Sequence, residues 1–376
     1  MNLFPVLRGT RYGYVGKSSK NMEIRPFYEF ASYFHNGIAR VKEGLKFGFI
    51  NESGRYVISP SFEDAGDFSE GVAKVKIERR CGYVDVSGKF VINPTFDAAE
   101  DFKDGLAKVK YEGKFGFINK LGKFVVKPQF DIAENFSEDL ALVGISGSFY
   151  GWKYGFIDKS GHYAIHPHLD VAKSFSNGLA LFSDNMWGYL DKKGKVAIKP
   201  KFQHAESFSE QLAVVGIKGD YEWLYGFINP EGKIVIEPKF EFANDFSDGL
   251  ASVKIGDVPK YFEATTFEYA ILKKVVKKEE QRFLLNGYYP DKANNRYFLK
   301  SNLSEVEKGR IKEIFDVIGF KISKPRYAYI DKNGKVVVPP NFDSADKFIN
   351  GIARVRVGRK YGFIDKSGHY VWEPQD

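Results

Sequence analysis

The chain has 376 residues, of which 43% are hydrophobic, 16% aromatic and 28% charged, with 37 glycines and a net charge of +8. This composition excludes a disordered chain and points to a buried core built from many short strands and tight turns. The lone cysteine, Cys81, excludes an intramolecular disulfide framework, and the absence of an apolar N-terminal run argues against a signal peptide or membrane span, so a reducing, cytoplasmic setting is expected.

Fifty-six basic residues stand against 48 acidic ones, which reads as interspersed surface charge rather than a polyanion-binding patch. In chain order, Phe4-Pro5-Val6-Leu7 has the pattern of a strand, and from Gly13 onward one unit is restated. Its clearest copy runs over residues 47–75. Phe47-Gly48-Phe49-Ile50 and Arg55-Tyr56-Val57-Ile58 are short runs of β-favouring residues, joined by Asn51-Glu52-Ser53-Gly54. An Asx side chain that accepts backbone hydrogen bonds, followed by a left-handed glycine, predicts a hairpin built on a type I turn. Pro60 lacks a ladder N–H and is expected to end the second strand. Phe62, Ala65 and Phe68 then recur three apart, a helical or turn-like spacing. After Gly71, the alternation in Val72-Ala73-Lys74-Val75 predicts a half-buried third strand.

With the first-strand glycine as anchor, the copies begin at Gly13, Gly48, Gly82, Gly116, Gly155, Gly188 and Gly226, then at Ala328 and Gly362. The recurring separation is 34 residues, as from Gly48 to Gly82. Pro60, Ala65 and Phe68 all have counterparts at this period, for example Pro94, Ala99 and Phe102. Asp85, Asp158, Asp191, Asp331 and Asp365 share the turn position with Asn51, Asn119 and Asn229. Free exchange of Asp with Asn suits a turn and not an acid or base, so these residues read as structural.

Most extra length enters in one place, between the third strand and the next anchor, around residues 144–153, 216–224 and 256–326. In a stacked repeat array such loops share one face, where binding surfaces are commonly built. Two of them carry aromatics: Phe149, Tyr150 and Trp152 in one, Tyr221 and Trp223 in the other. The third separates Gly226 from Ala328 by 102 residues, 68 more than one unit (102 − 34). Thr265 with Glu268, and Ser304 with Glu307, look like capping boxes ahead of apolar stripes, so this insertion is expected to be mainly helical. Lys273, Lys274, Lys277, Lys278 and Arg282 would give its first helix a basic face.

His162, His166 and His168 are the one metal-like cluster, but other copies hold Lys123, Asn93 and Gln129 at these places, so no metal site or cofactor is expected. Arg79 and Arg80 beside Cys81 would favour a thiolate, although an apolar substitution in a packed face accounts for it better. No phosphate loop, HExxH, CxxC or GxSxG pattern occurs, and no enzyme is expected.

The aromatic-Gly pairs, of which Trp187-Gly188 is one, and the segment Phe102-Lys103-Asp104-Gly105-Leu106-Ala107 resemble the WG-repeat (KWG-repeat) family of bacterial proteins over nearly the whole chain apart from residues 257–325. The resemblance implies a β-rich repeat fold with a binding or scaffolding role, and no catalytic residues. Taken together, an all-β protein of ~34-residue antiparallel meander units in an open, solenoid-like array is expected, with a closed propeller-like ring as the alternative. Repeats would occupy residues 1–256 and 326–376, around the insertion at 257–325. Function is expected to be non-catalytic binding of a protein partner through the variable loops. The alternative is recognition of glycan or nucleic acid by the exposed aromatics and the basic helix.

Overall fold

The computed structural model describes residues 3–16, 22–147, 151–219, 223–255, 261–263, 288–291, 296–299, 304, 307, 311 and 326–375. The first sheet has three antiparallel strands, β1 (Leu3–Arg8), β2 (Arg11–Gly16) and β3 (Met22–Tyr28). The second has four in sequence order: β4 (Phe30–Ala31), β5 (Ile38–Glu43), β6 (Lys46–Asn51) and β7 (Tyr56–Phe62). The same four-stranded unit follows seven more times, over residues 64–96, 98–130, 132–169, 171–202, 204–240, 242–342 and 344–375, so that these sheets number nine.

The alternation in β5 buries Ala39 and Val41 and turns Arg40 and Lys42 outward. In β6, by contrast, Gly48, Phe49 and Ile50 are all buried, because this middle strand is covered by a neighbouring sheet on each face. Each sheet packs on the next through its own apolar cluster. Phe49 and Ile58 of the second sheet, for instance, meet Ala65, Ala73, Val75 and Val84 of the third.

Nine such clusters run round the molecule. The ninth joins Phe4, Val6 and Val15 of the first sheet to Ile352, Phe363 and Trp372 of the last. The array is therefore a closed, nine-bladed propeller ring, and the open solenoid expected from the sequence is wrong. The two ends of the chain lie in different blades: β1 pairs with β2, while Tyr370–Gln375 pairs in the ninth sheet. Among the described residues the ring closes by side-chain packing, with no strand paired across the seam.

Three local readings also change. The second strand does not stop at Pro60 but continues to Phe62, with register shifts between Phe47 and Phe49 and between Phe49 and Ile50. As the last strand of its sheet it can carry a proline and a bulge without breaking an inner ladder. The Phe-x-x-Ala-x-x-Phe segment is not helical. Its Ala65 belongs to a two-residue strand pairing with Val75, and Phe68 follows in a loop whose ring lies 4.8 Å from that of Phe49 in the preceding blade.

In place of a mainly helical insertion, the described residues show a separate three-stranded sheet, with Arg296–Leu299 between Tyr261–Glu263 and Tyr288–Asp291. The adjacent aromatics Tyr261-Phe262, Tyr288-Tyr289 and Tyr297-Phe298 in these short runs suit a sheet. Ser304 and Glu307 do exchange capping-box hydrogen bonds, and Ile311 is fully buried. Thr265, Glu268, the basic residues Lys273, Lys274, Lys277, Lys278 and Arg282, and the apolar stripes around them lie, Ile311 apart, outside the described residues.

A candidate interaction rim

Antiparallel strands fix which loops can meet. Connections of the β6–β7 kind, with their Asx turns, lie at one rim of the ring together with the loops that precede β5 and its equivalents. The β5–β6 hairpins lie at the other. All three insertions are in β5–β6-type connections, so they share this hairpin rim.

The turn rim is uniform and self-satisfied. Asp85 Oδ1 accepts hydrogen bonds from Ser87 N, Ser87 Oγ and Lys89 N, which hold its carboxyl below the usual range, and Asn119 makes the same turn with Leu121 and Lys123. Glu70, Glu138 and Glu210 each accept from a glycine N–H of the next blade and pair with a turn lysine there, Lys120, Lys192 and Lys332. These groups hold blades in register and leave little chemistry for a ligand.

The hairpin rim varies. In the second and fourth sheets a lysine caps the aromatic directly across the hairpin: Lys42 Nζ lies 5.4 Å from the ring centre of Phe47, and Lys110 Nζ 5.2 Å from that of Phe115. In the fifth and seventh sheets the lysine is replaced by Gly144 and Gly216, opposite Tyr154 and Tyr225. A side chain would be tightly placed there. A Cβ on Gly216 would stand 3.1 Å from Tyr225 Cε1, 3.2 Å from Trp223 Cε3 and 3.1 Å from His204 Cβ.

Tyr225 and Trp223 are two apart on one strand and stack, with ring centres 6.5 Å apart and planes at 26°. His204, on the two-residue strand across Gly216, meets both edge-on, at 5.4 Å from Tyr225 and 5.9 Å from Trp223. Beside it, Glu206 lies 3.4 Å from His204 Nε2 and 2.6 Å from Lys173 Nζ. The hydrogen bond from His204, and then that from Lys173, pull its carboxyl down to about 2.

Among the sequence candidates, Trp152 sits in Gly151–Asp158, across from Ser146, and is 44% exposed. It and Trp223 occupy equivalent places, three residues before Gly155 and Gly226. Phe149, Tyr150 and Tyr221 lie outside the described residues. His204, Gly216 and Tyr225 are the site residues that sequence reasoning missed; glycine in the lysine position of the repeat was the signal for them.

The histidine trio does not converge as a cluster. His162 Nδ1 is 2.7 Å from Ser160 Oγ, and His168 Nδ1 bonds the carbonyl of His166. Among the described residues no group of three or more His, Cys, Asp or Glu is placed to hold a metal. Burial pushes the Cys81 thiol up, outweighing Lys76 and Lys74, so its neighbours do not make it a thiolate.

A ring of near-identical blades with one variable rim defines the class: a repeat β-propeller. The family follows from the repeat itself. A model described as WG containing repeat matches residues 12–46, 47–81, 82–115, 115–147, 154–185, 187–221, 225–258 and 327–361, and the chain belongs to that family.

No curated protein matches it. Among solved structures, the chain is similar to Hsv2 of Kluyveromyces lactis (10% identity, 58% of this chain and 86% of that one, TM-score 0.37). It also resembles an acylaminoacyl peptidase of Pyrococcus horikoshii (12%, 62% and 50%, 0.34) and a quinonprotein alcohol dehydrogenase-like protein of Bacteroides thetaiotaomicron (11%, 62% and 74%, 0.32). With TM-scores no higher than 0.37, these three carry no argument about function, and the ring rests on its own packing.

Proposed function

We propose that this protein is a non-catalytic interaction module that holds a protein partner on its hairpin rim. The observation that carries the reading is the concentration of the three long insertions, with exposed Trp152 and half-buried Trp223, on one rim of an otherwise repetitive ring. A catalytic group is needed once, whereas the polar residues of the turn rim recur blade after blade as turns and latches. Among the described residues no helix is long and apolar enough to cross a membrane. With a single, unactivated thiol, the reading places the protein in the cytoplasm.

Site-specific photo-crosslinking tests it. A benzophenone side chain at Trp152 is expected to capture a discrete partner in cells, while one at Val57, which is 37% exposed on β7, captures none. Equal capture at both positions, or capture only at Val57, overturns the reading.

A further inference from the structure

The aromatic face of the seventh blade differs from those of the second and fourth in what stands over it. In the second and fourth blades the equivalent ring is covered by an ammonium of the chain's own, from Lys42 or Lys110. In the seventh blade Gly216 supplies no such group, and among the described residues no cation lies over Tyr225 or Trp223. Lys218, directly across from Trp223, is exposed and stands over neither ring. Moreover, three aromatic groups, His204, Tyr225 and Trp223, pave this face, where the second and fourth blades offer one ring to their lysine.

We propose that this open face, formed by His204, Tyr225 and Trp223 across Gly216, receives a lysine-type ammonium side chain from the protein partner. The repeat itself shows the fit: an ammonium over the equivalent ring is the arrangement that two other blades build internally. The attraction is that of a cation for the electron-rich face of Tyr and Trp. The carboxylate of Glu206, already paired with Lys173, lies 3.4 Å from His204 Nε2 and helps to hold that ring beside the other two. The fifth blade has the same glycine, Gly144, with Tyr154 and Trp152, but Ile132 stands where the seventh has His204, so its face is less complete. This inference rests on the partner-binding reading and narrows it to the chemistry of one contact.

The test uses the full chain and small probes, choline and its neutral carbon isostere 3,3-dimethylbutan-1-ol, and follows the Trp223 indole N–H by NMR. Choline is expected to shift that resonance saturably in the millimolar range, and the isostere to bind roughly two- to fivefold more weakly, the margin expected of an exposed cation–π contact. Gly216→Lys, which restores the arrangement of Lys42 and Lys110, is expected to abolish the shift. Should that variant fail to fold, Tyr225→Leu is expected to weaken choline more than it weakens the isostere, and equal weakening of the two overturns the proposal. Equal binding of the two probes makes the face merely apolar and overturns the proposal. So does no response, or a response to cellohexaose in place of choline. Because no partner enters this titration, its failure alongside successful crosslinking at Trp152 would remove the ammonium contact and leave the rim standing.

Discussion

Gly48, Gly82, Gly116, Gly155, Gly188, Gly226 and Gly362 each face the bulge of the following strand, where a Cβ would lie between 2.4 and 2.8 Å from a carbonyl oxygen. A methyl there must push one strand off another. Gly116→Ala is therefore expected to cost about 1–3 kcal/mol, measured by chemical denaturation, as for other overpacked sites. Ala328, fully buried at the same place in the eighth sheet, shows that the ring tolerates one such methyl, so loss of stability and not loss of fold is the outcome; an unchanged midpoint would refute the account. A second residue-scale expectation concerns acid. The Glu206 carboxyl is held at about 2, below its ordinary value of 4.5. A depressed acid contributes its stability above the unfolded-state value, and that contribution is lost as pH falls from about 4.5 through 2. Glu206→Gln should thus flatten the dependence of the unfolding midpoint on pH across that window while leaving the slope above pH 5 unchanged.

Each of the first eight blades receives a loop phenylalanine from the blade that follows it, and the ninth, among the described residues, meets Phe4 of the first instead. Eight copies place a loop phenylalanine against the preceding blade's aromatic, as Phe102 does against Tyr83 at 4.8 Å. For Phe363 that role falls to Phe4, which stands in β1 where β5 has Ala39 and the third blade has Ala73. Trp372, at the position held elsewhere by Ile58, Ile92 or Val126, fills the other side of the same junction. Phe4→Ala is expected to cost about 3–5 kcal/mol, the usual range for emptying a buried phenylalanine site, and scanning calorimetry would report it. A cost below that of Ile58→Val would show that the seam does not depend on this ring. The hairpins, the anchor glycines and the third strands were all legible in the sequence, because period-2 alternation and Asx-Gly turns are local signals. The two-residue strand was not. Ala65 meets Val75 through pairing that no local pattern announces, and the three-residue spacing around it imitates a helix. The candidate site was half legible: Trp152 and Trp223 stood out as aromatics in insertions, whereas His204 and Tyr225 join the site only through their register with Gly216.

Closure belongs to the whole molecule, and no single unit encodes it. Whether repeats of this kind form a ring or a spiral depends on the small angle between successive sheets, which is set by packing and has no sequence signature within a unit. What the sequence does carry is a pair of exceptions at its two ends, Phe4 in place of alanine and Trp372 in place of isoleucine or valine, and these make sense only if the ends meet. The distinction is measurable. Sheets packed face to face lie about 10 Å apart, so eight steps in an open stack would separate the first and ninth sheets by roughly 80 Å, whereas in the ring they are neighbours. Donor and acceptor dyes on cysteines introduced at Arg8 and Glu373, both exposed, in a Cys81→Ser background are expected to show high transfer efficiency. Phe4→Ala should lower that efficiency at denaturant concentrations where the circular dichroism of the blades is still intact, because the seam has no strand exchange to hold it once its cluster is weakened. Low transfer in the unmodified protein under native conditions would mean that the first and ninth blades do not touch.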